Sequence, residues 1–291
     1  MSHAPEPTGS LRRVLTTLHL IGPAARAKHA TVRLIDNGRS VVAERIAQPE
    51  PTPPVNEHEL LVDFWKMSSS NWYYDILTVA AIRRIMQPGD MAIDIGAHTG
   101  DVLQHMVAAA PSVRHLAVEP LPHLAADLRT NFPSVQVREA ALVETPAGPL
   151  QFHHVYTNPG YSGILKRSFD RPNEEVELID VETARLDDVV AVDEHPVLVK
   201  LDVEGAELGV LRGAERILSD DRPVVIFEHG LGAANHYDTT PRVVHDLFDQ
   251  HGYQLFLLGS WLESGPPLSR DQFVDQFEQQ KNYYFLAAHP G

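Results

Sequence analysis

The 291-residue chain contains no cysteine. That excludes a disulfide framework, thiolate catalysis and cysteine-ligated zinc. Positive charge is scarce as well: 24 lysines and arginines stand against 39 aspartates and glutamates, a net charge of −15. The overall field repels a phosphate backbone, so no nucleic-acid partner is expected. No apolar run is long enough to span a bilayer, and no membrane partner is expected either. Residues 1–10 hold neither the basic stretch nor the apolar core of a secretory leader, which makes a cytoplasmic location the expectation. The 16 histidines show no tight metal-ligand spacing. The dinucleotide fingerprint G-x-G-x-x-G is missing too.

What is present is a hydrophobic content of 43%, ample for a core, and one stretch around which the rest is arranged. Met91 to Ile95 is a short apolar run with an acid, Asp94, near its end. Gly96 and Gly100 follow, flanking Ala97, His98 and Thr99, and Val102 to Ala110 then has helical spacing. A second apolar run, His115 to Val118, ends in Glu119 and Pro120. The order strand, glycine turn, helix, strand is a β-α-β unit of a nucleoside-binding sheet. The glycines let a ligand lie against the backbone, and Glu119 can accept hydrogen bonds from ribose hydroxyls. A ligand with a ribose but no pyrophosphate suits this turn, and S-adenosylmethionine is the candidate. The competing reading is that Gly96 and Gly100 only allow helix and strand to pack.

Before this unit, Leu11–Leu20 and Glu57–Trp65 read as helices. Ala30–Ile35 and Ser40–Ile46 read as a hairpin turned at Asn37-Gly38. Gln48–Pro54 reads as a linker. Asn71–Met86 reads as a helix with Trp72, Ile76, Val79, Ala80, Ile82 and Arg83 on its buried side, stopped by Pro88-Gly89. Residues 1–87 are expected to form an N-terminal extension that packs on the 88–291 domain and covers cofactor or substrate. Trp65, Trp72, Tyr73 and Tyr74 are expected mostly in the core.

After it, Leu121–Asn131 reads as a helix and Val135–Leu142 as the third strand. Gly148–Tyr156 and Glu175–Thr183 alternate like antiparallel strands. The insertion at about 148–183 contains Thr157–Asn173, rich in Gly, Ser and Pro, where substrate contacts are expected. Val197–Asp202 and Pro223–Glu228 read as further parallel strands. Tyr253–Gly259 and Tyr283–Ala288 give an antiparallel-looking finish. The fold class is α/β, a doubly wound, mostly parallel sheet.

Lys200-Leu201-Asp202-Val203-Glu204-Gly205-Ala206-Glu207 is the second informative stretch. Ligands in open α/β sheets bind at the carboxyl ends of strands, so Asp202 is expected in the crevice with Asp94 and Glu119. There it can pair with an amino group or sulfonium, act as a base, or ligate a metal. Capping of the following helix is the other reading for Asp202 and Glu204. Glu204 in the turn, and Glu228 and His229 at the end of the next strand, are further candidates for general-base work. Asp202, Glu228 and His229 also form a possible divalent-metal set, although no spacing requires one.

Ile93-Asp-Ile-Gly-Ala-His-Thr-Gly100, Val118-Glu-Pro120, Ala140-Ala-Leu142, Arg185-Leu-Asp-Asp188, the 200–207 stretch with Leu211, Gly213 and Ala214, and Phe227-Glu228 together resemble the FkbM-type S-adenosylmethionine-dependent methyltransferases. The resemblance implies a Rossmann-like class I methyltransferase fold, with a seven-stranded sheet whose last strand is antiparallel. It implies methyl transfer, usually to a hydroxyl of a sugar, polyketide or other metabolite of natural-product biosynthesis. It places Gly96, Ala97 and His98 at the methionine portion, Glu119 at the ribose and Ala141 at the adenine, with Asp94, Gly100, Pro120 and Asp202 completing the cofactor set. A small-molecule acceptor is the implied partner, and a homo-oligomer is compatible with it. A nicotinamide-dependent oxidoreductase and a non-catalytic binding subunit remain the alternatives at this point.

Overall fold

A computed structural model describes residues 71–167 and 173–290. The expected helices at 11–20 and 57–65, the hairpin at 30–46 and the linker at 48–54 lie outside the described residues.

Helix α1, Asn71–Ile85, leads into strand β1, Met91–Ile95. After the glycine turn come α2 (Leu103–Ala109), β2 (Leu116–Val118), α3 (Pro122–Asn131) and β3 (Gln136–Arg138). Strand β4 (Ala141–Leu142) precedes the insertion, which holds β5 (Leu150–Val155), a 3₁₀ turn at Pro159–Tyr161 and β6 (Val176–Val181) and ends at β7 (Thr183–Ala184). Helix α4 (Leu186–Val189) leads to β8 (Pro196–Leu201), α5 (Glu207–Arg212) and β9 (Val224–Glu228). The chain finishes with α6 (Pro241–Gln250), β10 (Gln254–Leu257), α7 (Leu258–Leu262), α8 (Arg270–Glu278) and β11 (Tyr284–Ala288).

Seven strands form the central sheet in the order β3-β2-β1-β8-β9-β11-β10. All pair in parallel except β11, which runs antiparallel between β9 and β10. Side chains alternate across it, as a pleated strand dictates. Ile93, Ile95, Val199, Leu201, Val225, Phe227 and Phe285 share one core with Leu211 of α5, Phe248 of α6 and Phe273 of α8. Ala92, Leu198, Ile226 and Leu286 share the opposite core with Leu77, Ala81 and Ile82 of α1 and Met106 of α2. Both faces are covered, which is why the parallel strands read as nearly continuous apolar runs.

Three local expectations are corrected. Val135–Leu142 is not one strand: the chain leaves the sheet edge after Arg138, and Ala141–Leu142 pairs in parallel with Thr183–Ala184 instead. Strand β10 stops at Leu257, because Leu258 and Gly259 already belong to α7. On α1, Arg83 is exposed, and Leu77 and Ala81 carry the buried stripe in its place. The expected antiparallel pair of the insertion is present as β5 and β6. Tyr74 is buried, as expected of a core aromatic. No helix among the described residues is long and apolar enough to cross a membrane.

Candidate active site

The turn after β1 is fixed by the strand ends around it. Gly96 and Ala97 both donate their N–H to Val118 O, at 2.9 and 3.1 Å. Gly96 has φ +73°, and a Cβ there would lie 1.8 Å from the carbonyl oxygen of Asp202. Glycine is therefore required by the close crossing of the β8–α5 turn. Gly100, with φ +87°, would place a Cβ 2.5 Å from the Phe132 ring. It serves the packing of the turn against α3 and does not line the cavity described below, which corrects its expected role in cofactor binding.

Glu119 organises the same turn from the end of β2. One carboxylate oxygen accepts from His98 N–H and the other from Leu121 N–H, both at 2.9 Å. Burial raises its pKa, against the pull of those two amides. Each oxygen keeps a second lone pair for another donor.

A cavity of about 500 Å³ opens above these strand ends. Gly96, Ala97, His98, Glu119, Pro120 and Ala141 line it, as do Asp94, Asp202 and Glu204. Asp75 of α1 contributes to its wall, and so do Asn158, Gly160, Tyr161, Ser162 and Ile164 of the insertion. The loop expected to contact substrate thus borders the same space as the cofactor turn.

Asp94, Lys200 and Asp202 lie on one face of neighbouring strands. Lys200 Nζ donates to Gly96 O at 2.9 Å and sits 3.3 Å from Asp94 and 3.8 Å from Asp202. Burial alone would strip its proton, but Asp94 and Asp202 outweigh it and raise the lysine above its ordinary pKa. Burial pushes Asp94 itself up, against the pull of Lys200. Asp202 accepts a hydrogen bond from Tyr284 Oη at 2.5 Å. Burial would raise Asp202, but Lys200 and hydrogen bonds from Glu228 and Tyr284 hold it below the usual carboxylate range. Glu228 is pushed well up by burial and by the Asp202 charge.

Glu204 does not cap α5. Its backbone is left-handed (φ 58°), and its carboxylate pairs with Arg167, whose guanidinium lies 4.6 Å from the Tyr161 ring centroid. The turn amides are taken by Glu207, which accepts from Val203 and Gly205 N–H at 3.1 Å and is raised to about 7, chiefly by burial.

His229 is the clearest correction. It is 1% exposed and stacks on Phe277 at 4.6 Å, outside the cavity wall. Burial lowers its pKa to about 4, and among the described residues neither ring nitrogen has a hydrogen-bond partner. It is a core residue rather than a base, and the metal set expected from Asp202, Glu228 and His229 does not form. The carboxylates brought together are Asp202, Glu207 and Glu228, with oxygens within 4.8 Å. Glu228 itself stands behind Asp202 and does not line the cavity. Lys200, Glu207, Tyr284 and Arg167 were not assigned roles from the sequence. Lys200 had a visible signal, a lone cation in the otherwise apolar Val197–Leu201 run.

Residues 94–255 match the methyltransferase FkbM domain, more than half of the chain. The chain belongs to the FkbM methyltransferase family. No curated protein sequence matches it. Solved structures similar to it include precorrin-6y C5,15-methyltransferase of Geobacter metallireducens, at 16% identity over 62% of this chain and 72% of that one, with a TM-score of 0.37. A TehB-like S-adenosylmethionine-dependent methyltransferase of Corynebacterium glutamicum is similar at 10% identity over 79% and 95%, with a TM-score of 0.39. CalS10, an amino pentose methyltransferase of Micromonospora echinaspora solved with S-adenosylmethionine bound, is similar at 14% identity over 58% and 55%, with a TM-score of 0.31. This FkbM methyltransferase is S-adenosylmethionine-dependent, and its cavity fits that cofactor. The volume lies within the range of small-molecule sites. Glu119 keeps lone pairs for further donors, and Asp202 lines the same wall.

Proposed function

We propose that this FkbM methyltransferase methylates a hydroxyl oxygen of a small molecule, such as a sugar, a polyketide or another natural-product intermediate. Bound in the cavity, S-adenosylmethionine supplies an electrophilic methyl group on a sulfonium. Glu119 holds the ribose, Gly96, Ala97 and His98 border the methionine portion, and Ala141 borders the adenine. Asp202 sets the electrostatics. Its low basicity suits it to balance a cation rather than to keep a proton. The loop at 158–164 and the 1–87 extension select the acceptor.

The observation that carries the reading is the meeting of Asp202, Glu119 and the 158–164 loop in one cavity wall. An alcohol gains acidity as its new carbon–oxygen bond forms, and a wall rich in hydrogen-bond acceptors favours that change. The experiment is transfer of tritiated methyl from S-adenosylmethionine to a panel of polyols, sugars, phenols, amino sugars and amines, with products located by mass spectrometry. Label on oxygen is the expected result. Label confined to nitrogen or carbon would overturn the reading.

A further inference from the structure

A hydroxyl acceptor must lose its proton, and the three carboxylates expected from the sequence to take it are poorly placed to do so. Glu204 is paired with Arg167, Glu228 does not line the cavity, and Asp202 lies between Lys200 and the Tyr284 hydroxyl. His98 is differently placed. Its N–H is tied to Glu119 and its backbone is left-handed (φ 49°), so the turn fixes where the ring stands. Thr99 Oγ1 donates to Asp101 Oδ2 at 2.9 Å. A hydroxyl has one hydrogen, so the 3.3 Å contact between Thr99 Oγ1 and His98 Nδ1 needs the proton on Nδ1. Nε2 of a neutral ring is then a bare acceptor. It is buried and, among the described residues, has no hydrogen-bond partner, on a residue that lines the cavity. Orphaned buried acceptors are uncommon and call for an explanation.

We infer that Nε2 of His98 accepts the proton of the acceptor hydroxyl during methyl transfer, with Thr99 and Asp101 setting the tautomer. The inference rests on the hydroxyl reading above. The acceptor oxygen forms a bond to the methyl carbon with one lone pair, and the carbon–sulfur pair stays on sulfur. The hydroxyl proton passes to Nε2, leaving a neutral ether, a neutral sulfide and an imidazolium that later releases its proton to water. One positive charge leaves sulfur and one appears on the ring, so Asp202 balances a single cation before and after. The charged groups acting on the ring are Lys200 and His123, which disfavour its protonation, and Asp101 and Asp202, which favour it. Burial, then Lys200, keeps the free ring neutral near pH 7 by lowering its pKa.

Long-range proton–nitrogen spectra of the full chain with S-adenosylhomocysteine bound test the tautomer without an acceptor. His98→Asn serves to assign the signals, since asparagine tolerates left-handed backbone. Nε2 should be unprotonated at pH 7. Thr99→Val should mix the tautomers, and Thr99→Ser should restore one. A ring protonated on Nε2 would overturn the assignment to His98. Calorimetry with S-adenosylmethionine should show His98→Asn within about threefold of the parent. A hundredfold loss would make the ring an anchor for the cofactor's amino group and overturn the inference. With an acceptor from the hydroxyl panel, His98→Asn should lower kcat about 10²–10⁴-fold and abolish the acid limb of its pH profile. An unchanged kcat would refute the inference. A panel that yields only amine or carbon acceptors would overturn the hydroxyl reading and this inference together, while the spectra still report the ring's state.

Discussion

Tyr284 donates its hydroxyl proton to Asp202 across 82 residues of sequence, at 2.5 Å. That contact joins the antiparallel β11 to the end of β8 and helps decide which member of the Asp202–Glu228 pair is charged. Tyr284 is itself held by stacking on Tyr74 of α1, at 5.4 Å between ring centroids.

Tyr284→Phe should therefore act on charge as well as on packing. Asp202 has a folded pKa below its unfolded one, so its contribution to stability is complete above the unfolded value and disappears as pH falls through the folded one. Removing a hydrogen bond to a charged group costs about 1.5–3 kcal/mol. Urea unfolding should show a loss of this size at neutral pH and a smaller loss in acid. An equal loss at both would assign the contact to packing alone.

Gly96→Ala should destabilise by about 3 kcal/mol or more, because its Cβ meets backbone rather than a flexible side chain. Gly209, inside α5, has open space where a Cβ would go. Gly209→Ala should stabilise by about 0.5–1 kcal/mol through helix propensity. Thermal unfolding of the two variants provides an opposed pair of signs.

Glu119→Gln keeps an oxygen for one turn amide and removes the charge. Affinity for S-adenosylmethionine should fall by about 1.5–3 kcal/mol, the value of charge-assisted hydrogen bonds to the ribose. Isothermal calorimetry measures this directly. Unchanged affinity would place the ribose elsewhere.

His229→Phe removes a buried imidazole whose pKa drops from 6.5 to about 4 on folding. The unfolded chain binds the extra proton between those values, so this residue makes stability fall as pH falls through that window. The effect is worth about 3 kcal/mol across it. His229→Phe should flatten the stability profile between pH 6.5 and 4 and leave methyl transfer intact. A profile as steep as the parent's would rule out His229 as its source.

The residues that were legible are those whose role is local. Met91–Ile95, the glycine turn and Glu119 follow one another within thirty residues, and the chain itself brings them together. Asp94 and Asp202 were legible as neighbours because both stand at the carboxyl ends of apolar strands, and Lys200, two residues before Asp202, shares their face without having been read. The same alternation carried an unused signal about His229. It is two residues beyond Phe227 and so shares the face buried under α6 and α8. Tyr284 had no such signal. Its role depends on β11 lying beside β9, an adjacency that only the completed sheet creates. Gly100 was misassigned because a glycine required by a neighbouring ring and one required by a ligand look alike in sequence.

The placement of β11 also links the sheet edge to the site. Strand β10 joins the sheet only through β11, although it comes earlier in the chain. Among the described residues its strand partner is β11, so it reaches the rest of the sheet through the β11–β9 pairing. The same strand brings Tyr284 to Asp202. Truncating the chain before β11 would therefore remove the inner neighbour of β10 and the hydroxyl on Asp202 together, while leaving the Glu119 turn, which β1 and β2 build, with all its own contacts.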